Sequence, residues 1–174
     1  MKLNRLHQAF VWLRRIRYCR GFGIQSPSDY RFVRYVINEH WPYYAYESLG
    51  HEDDWLRRKL GYLYFRLAND LQPKTIVDWV CFHDYLKAGC RSAWIVDDAQ
   101  QVELAIVPIK TDYHHLFQEC NDQSVVVFQD IYQHPEYWHC IEHDSRVTLT
   151  FDLYYCGIVM FDPKRIKHCY TINF

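Results

Sequence analysis

From Thr75 onward the chain carries a series of short apolar runs rich in β-branched residues, and their spacing restricts the fold more than any other feature. The runs are Thr75 to Val80, Ala93 to Val96, Val102 to Val107, Val125 to Phe128, Val147 to Phe151, Gly157 to Phe161 and Tyr170 to Phe174. Unbroken apolar runs of this length, bounded by turn residues, are the pattern of strands buried on both faces. The earlier ones alternate with helical stretches, about His83 to Ala88 and His114 to Cys120. The last three follow one another closely, with turn signals at Tyr155-Cys156-Gly157 and Asp162-Pro163. Alternation predicts an α/β fold with a mainly parallel sheet, and the crowded end predicts antiparallel C-terminal strands.

Helices are expected ahead of the sheet. Leu3, Leu6, Phe10 and Leu13 recur at spacings of three and four, an amphipathic stripe that ends near Gly21 and Gly23, with arginines on the opposite face. Ser26-Pro27-Ser28-Asp29 supplies an N-cap and an early proline for a second helix through Tyr30, Val33, Val36 and Ile37, which stops before Pro42. The polar, tyrosine-rich stretch from Tyr43 to about Asp54 reads as a loop. Trp55, Leu56, Leu60, Leu63, Leu67 and Leu71 then keep helical spacing up to Pro73. The expected division is an N-terminal helical arm over 1–42 and an α/β domain over 43–174, forming one globular unit. A length of 174 residues, 49% hydrophobic, suits a single domain with a substantial core.

Seven widely spaced cysteines without a C-x-x-C indicate neither a disulfide framework nor a zinc knuckle, and they read as reduced, mostly core thiols. No apolar run is long enough for a signal peptide or a membrane span, so the expected location is cytoplasmic. The net charge of −1 hides an asymmetry. Residues 1–34 hold eight Lys or Arg against the single acid Asp29, which leaves −8 on the rest.

Three stretches resemble a bacterial group of class I S-adenosylmethionine-dependent methyltransferases. Gly21-Phe-Gly-Ile-Gln-Ser-Pro27 is close to that group's glycine-aromatic-glycine element between the N-terminal helices. Arg66 to Val77 is similar to the helix and lead-in to its first strand. Ser124 to Tyr132, Arg146 to Tyr154, Gly157 to Phe161 and His168 to Phe174 resemble its fifth strand and closing antiparallel strands. The resemblance covers about half the chain, in the family's order. It implies a truncated Rossmann-like methyltransferase sheet preceded by N-terminal helices.

The departures cluster where the family binds its methyl donor. Asp78 matches the acid that ends the first strand, but the glycine-rich turn is replaced by Trp79-Val-Cys-Phe-His-Asp84. Glycine in such a turn lets backbone N–H groups approach the cofactor. The region after the first strand is expected to be either a cavity or a plug made by Trp79, Phe82 and Tyr85. About twenty residues between Val80 and Val102 are too few for two βα units, so one unit is expected to be missing. Asp97 and Asp98 stand where the resemblance implies a ribose-binding acid. Val107-Pro-Ile-Lys110 replaces an Asp-Gly-Asn-His-like element, and of the fifth-strand acid pair only Asp130 remains, beside Gln129. Asp130 is the one catalytic candidate, Asp78, Asp97 and Asp98 are the cofactor-binding candidates, and no cofactor is expected, with S-adenosylmethionine as the alternative.

Other clusters point less far. His134, His139 and His143, with Glu136, Cys140 and Glu142, resemble a ligand set, but no third ligand follows at a diagnostic spacing, and no metal is expected. His114-His115 has no visible nucleophile partner. Three functions follow as expectations. The first is an inactive methyltransferase-like protein that binds or assembles with a second copy or with a methyltransferase-like partner. The second is an active methyltransferase with a remodelled site. The third is an adaptor for nucleic acid or an anionic membrane surface through Arg14, Arg15, Arg17 and Arg20.

Overall fold

In a computed structural model, residues 5–98 and 100–174 are described. Leu3, expected in the first helix, lies outside the described residues. The chain forms helix α1 (Arg5–Arg14), a short 3-10 turn, α2 (Pro27–Phe32) running into a π turn over Val33–Ile37, and the long α3 (Trp55–Leu71). There follow β1 (Thr75–Asp78), α4 (His83–Gly89), β2 (Trp94–Val96), β3 (Val102–Pro108), α5 (Tyr113–Gln118), β4 (Cys120–Gln129), α6 (Pro135–His143), β5 (Leu149–Asp152), β6 (Cys156–Met160) and β7 (His168–Thr171).

The seven strands make one sheet in the order β2-β1-β3-β4-β6-β5-β7. Six of them share one direction. Only β6 runs against the rest, pairing antiparallel with β4 on one side and β5 on the other. This corrects the expected antiparallel ending: β5 and β7 are parallel to each other and to the body of the sheet. The last strand also starts two residues earlier than its apolar run, because His168, Cys169 and Tyr170 pair with Leu149, Thr150 and Phe151.

Alternation along each strand divides the core in two. Ile76, Leu104, Ile106, Val125, Val127 and Ile158 face α3, α4 and the π turn. Val77, Ala105, Val107, Val126, Phe128 and Val159 face the other way, under α5 and α6. Successive residues pointing to opposite faces, both covered, explain why the strands read as unbroken apolar runs. The Ser26 cap acts as expected, its hydroxyl accepting from the Asp29 N–H, and Asp54, read as loop, caps α3 by accepting from the Arg57 N–H. Val33, Val36 and Ile37 enter the same core as α3.

Among the described residues between β1 and β3 there is a single short helix, α4, and none follows β2. The face beside Val77 and Trp79 therefore lacks a crossover helix, and a cavity of about 270 Å³ lies there, bordered by Asp97, Asp98, His115 and Glu119.

Helix α1 is attached through a few polar contacts. Arg15 makes a two-pronged ion pair with Asp152, at 2.8 and 2.7 Å, and donates to the carbonyls of Asp152 and Ile172. Asn173 bonds the Trp12 and Tyr18 carbonyls. The apolar stripe does not dock: Phe10 and Leu13 are exposed, and Val11 is the residue turned inward. Asp29, buried at the start of α2, holds Arg165 and Tyr170, which ties α2 to the β7 end of the sheet. Among the described residues no helix is long and apolar enough to cross a membrane. All seven cysteines are free, but only Cys90, Cys120 and Cys156 are buried, so the thiols are not mostly core.

Candidate functional site

In open, mainly parallel sheets the carboxyl ends of the strands form the natural ligand crevice. Here that end carries Asp78 as the last residue of β1, Asp97 and Asp98 after β2, Gln129 as the last residue of β4, and Asp130 after it. These groups are not gathered around one opening.

Asp78 is sealed in. Its carboxylate is wholly buried and accepts from the Val80 N–H at 3.1 Å and the Phe82 N–H at 2.7 Å, with the His83 ring nitrogen 3.0 Å away. The turn that follows keeps one left-handed position, Cys81 at φ +61°, filled by a residue with a side chain. Such a position is uncommon for a non-glycine residue and persists because its neighbours hold it. Arg57 supplies much of that hold. It donates to the Cys81 carbonyl and to Asp53 and lies 4.3 Å over the Phe82 ring. Tyr85 closes the other side, donating to Asp53 at 2.6 Å.

The three aromatic residues after β1 do not all turn inward. Phe82 and Tyr85 are 2% and 3% exposed, whereas Trp79 is 42% exposed. Phe82 stands edge-on to Tyr64 at 4.8 Å. Tyr85 lies so close over α3 that a Cβ on Gly61 would fall 2.5 Å from its ring, which explains a glycine in the middle of a helix. Trp79 turns outward instead and donates its indole N–H to the Asp97 carbonyl at 2.6 Å. Its ring borders the cavity left by the absent crossover helix, together with Asp97 and Asp98, both exposed.

Asp130 occupies a second left-handed position, φ +65°, and burial pushes its carboxyl pKa upward. Between it and Asp78 lies Tyr64, fully buried, whose hydroxyl donates to the Gln129 side-chain oxygen at 3.2 Å. Burial first, then the nearby Cys156, Asp130 and Asp78, hold that phenol well above its ordinary pKa. Gln129, which replaces an acid in the resemblance, thus serves as an acceptor for a neutral buried phenol.

The basic candidates separate. Arg15 is committed to Asp152, whereas Arg14, Arg17 and Arg20 are exposed. On α6, His139 pairs with Glu142 and His143 with the His139 carbonyl. Among the described residues no three ligand-type side chains are placed to hold a metal ion.

Sequence reading missed a cavity walled largely by aromatic rings. A space of about 420 Å³ lies between α3 and residues 37–46, walled by Trp41, Tyr46, Trp55, Tyr62 and Phe174. Arg58, Lys59 and Arg66 of α3 border it, with Asn38 from the end of the π turn. The signal was present as three cations within nine residues on a helix of otherwise apolar spacing. The partner segment, read as the end of a helix stopping before Pro42 and a polar loop from Tyr43, hid it. Comparison with protein-family models, curated proteins and solved structures finds no match for this chain.

Proposed function

We propose that this chain is a methyltransferase-like, Rossmann-type scaffold whose methyl-donor end is filled by its own side chains, and that it acts by binding rather than by methyl transfer. The observation that carries the reading is the sealed Asp78 carboxylate. In a Rossmann-type site the turn after the first strand leaves its backbone N–H groups available to the ligand. Here the N–H groups of Val80 and Phe82 are satisfied by Asp78, and the Phe82 ring occupies the interior. The strand order supports the ancestry. A doubly wound sheet running 3-2-1-4-5 that loses its third strand leaves the order β2-β1-β3-β4 found here.

The remodelled-enzyme reading needs Asp78, Asp97 and Asp130 around one cleft, and the wholly buried Asp78 side chain argues against it. Isothermal titration with S-adenosylmethionine and S-adenosylhomocysteine tests the proposal. No saturable heat is expected, and micromolar binding of either refutes it.

A second reading has one observation in its favour. Phe10 and Leu13 of α1 lie exposed, with the exposed Arg14 and Arg17 close by in sequence, while His7, Val11, Arg15 and the Trp12 carbonyl hold this arm to the fold. A basic helix with an outward apolar stripe suits an anionic membrane surface. Co-sedimentation with vesicles containing anionic lipid, lost on replacing Arg14, Arg17 and Arg20 by alanine, is its test.

A further inference from the structure

The cavity between α3 and residues 37–46 holds more positive charge than the protein balances. Lys59 lies with its ammonium 4.9 Å from the Trp55 ring and 4.6 Å from the Phe174 ring, and among the described residues no carboxylate is within ion-pair distance of it. Arg66, buried a little under two turns further along α3, also lacks a carboxylate. It donates to the carbonyls of Val36 and Ile37 and to the Tyr46 hydroxyl. A guanidinium has five N–H donors, so three such bonds leave two without a partner. Glu39, an acidic side chain on the wall, turns its carboxylate to the backbone N–H groups of His40 and Trp41.

A third donor points the same way. Asn38 borders the cavity, is 8% exposed, and its side-chain N–H₂ has no hydrogen-bond partner. A buried donor left unsatisfied costs about 1–3 kcal/mol, and a partly desolvated cation without a counter-charge costs more. Burial, with Arg66 close by, lowers the Lys59 pKa to about 8. Cations without a carboxylate partner and an unpaired amide donor, on residues that border one aromatic-walled space, are the complement of an anion carried on a flat apolar body.

We propose that this cavity binds a small aromatic carboxylate, its ring against Trp41 and Trp55 and its carboxylate held by Lys59, Arg66 and the Asn38 side-chain amide. A carboxylate suits the few free donors, and a dianionic phosphate would call for more. The Tyr46 and Tyr62 rings, stacked at 3.8 Å, give the cavity a preformed flat wall. The site is independent of the filled strand end, so either assignment stands or falls alone.

The test is titration of the whole chain with benzoate, 1-naphthoate and indole-3-acetate, each beside its uncharged amide. Binding is followed by calorimetry and by the Asn38 side-chain amide resonance. At least one carboxylate binds saturably at micromolar to low millimolar concentration, its amide binds at least about tenfold more weakly, and the Asn38 signal moves along the same isotherm. Lys59→Met weakens binding by at least about tenfold, as expected on removing one partner of a partly buried charge pair. Trp41→Ala also weakens it and leaves the fold intact, since Trp41 is largely exposed. No saturable binding by any of the acids, equal binding of acid and amide, or an unmoved Asn38 resonance overturns the proposal. Tighter binding of phenyl phosphate than of the carboxylates overturns the choice of anion. Should Lys59→Met fail to fold, the acid-against-amide comparison and the Asn38 resonance decide on the unaltered chain.

Discussion

Replacing Phe82 by alanine is the sharpest structural test of the filled strand end. The ring is almost wholly buried, packs edge-on against Tyr64 and lies beneath the Arg57 guanidinium. Removing a buried phenylalanine ring costs about 3–5 kcal/mol, the transfer and cavity contributions together. The edge-on partner and the cation above the ring place Phe82 in the upper half of that range, at about 4 kcal/mol. For a domain of this size that lowers Tm by roughly 8–16 °C. Urea unfolding followed by far-ultraviolet circular dichroism gives the free energy directly, with an unchanged slope showing that the denatured state is the same. Trp79→Ala is the matched control. Its ring is half exposed and held by one indole hydrogen bond, so the loss is about 1 kcal/mol. A Phe82→Ala loss below about 1 kcal/mol, or a larger loss for Trp79→Ala, refutes the assignment of the plug to Phe82.

Gly61→Ala destabilises the chain by about 1–3 kcal/mol, although alanine is ordinarily the better helix former, because its methyl group meets the Tyr85 ring; thermal melting that shows stabilisation contradicts this packing. Arg15→Met costs about 2 kcal/mol in chemical denaturation, since it leaves Asp152 partly buried and unpaired, whereas Arg14→Ala and Arg17→Ala change stability by less than about 0.5 kcal/mol. In the Lys59→Met variant, which removes the group whose pKa is lowered to about 8 and which therefore acts in the opposite sense, stability falls as pH rises through 9. Burial holds the Cys120 thiol at about 11 and the Tyr155 phenol at about 12, so the unfolded chain releases those protons first and binds fewer than the folded one. A Tm that stays level or rises from pH 8 to pH 10 contradicts that sign.

The strands were legible because burial on both faces leaves unbroken β-branched runs, as at Val102–Pro108 and in Val125 to Phe128 of β4. Direction was less so. Gly157-Ile-Val-Met resembles any buried strand, and its insertion between β4 and β5 depends on long-range pairing that composition does not encode. The start of β7 was displaced because His168 and Cys169 pair on an edge, where polar residues are tolerated. Helix α1 showed its amphipathic stripe but not its docking, which rests on Arg15 meeting Asp152, 137 residues away. At the strand ends, the replacement of glycine by large residues pointed to a plug, yet could not say which aromatic turned inward. That choice depends on Arg57 and Tyr64 of α3, both remote in sequence from the turn. The cavity beside α3 stayed hidden for the same reason, since Asn38 and Trp41 meet Lys59 and Arg66 only in the folded chain.

The central claim, that the end of β1 is closed to a methyl donor, is tested most directly by following the backbone amide resonances of Val80 and Phe82 during titration with S-adenosylhomocysteine. Both N–H groups are bonded to Asp78 within the fold, so their signals stay in place and exchange slowly with solvent throughout. A saturable shift of these two resonances at micromolar ligand contradicts the account.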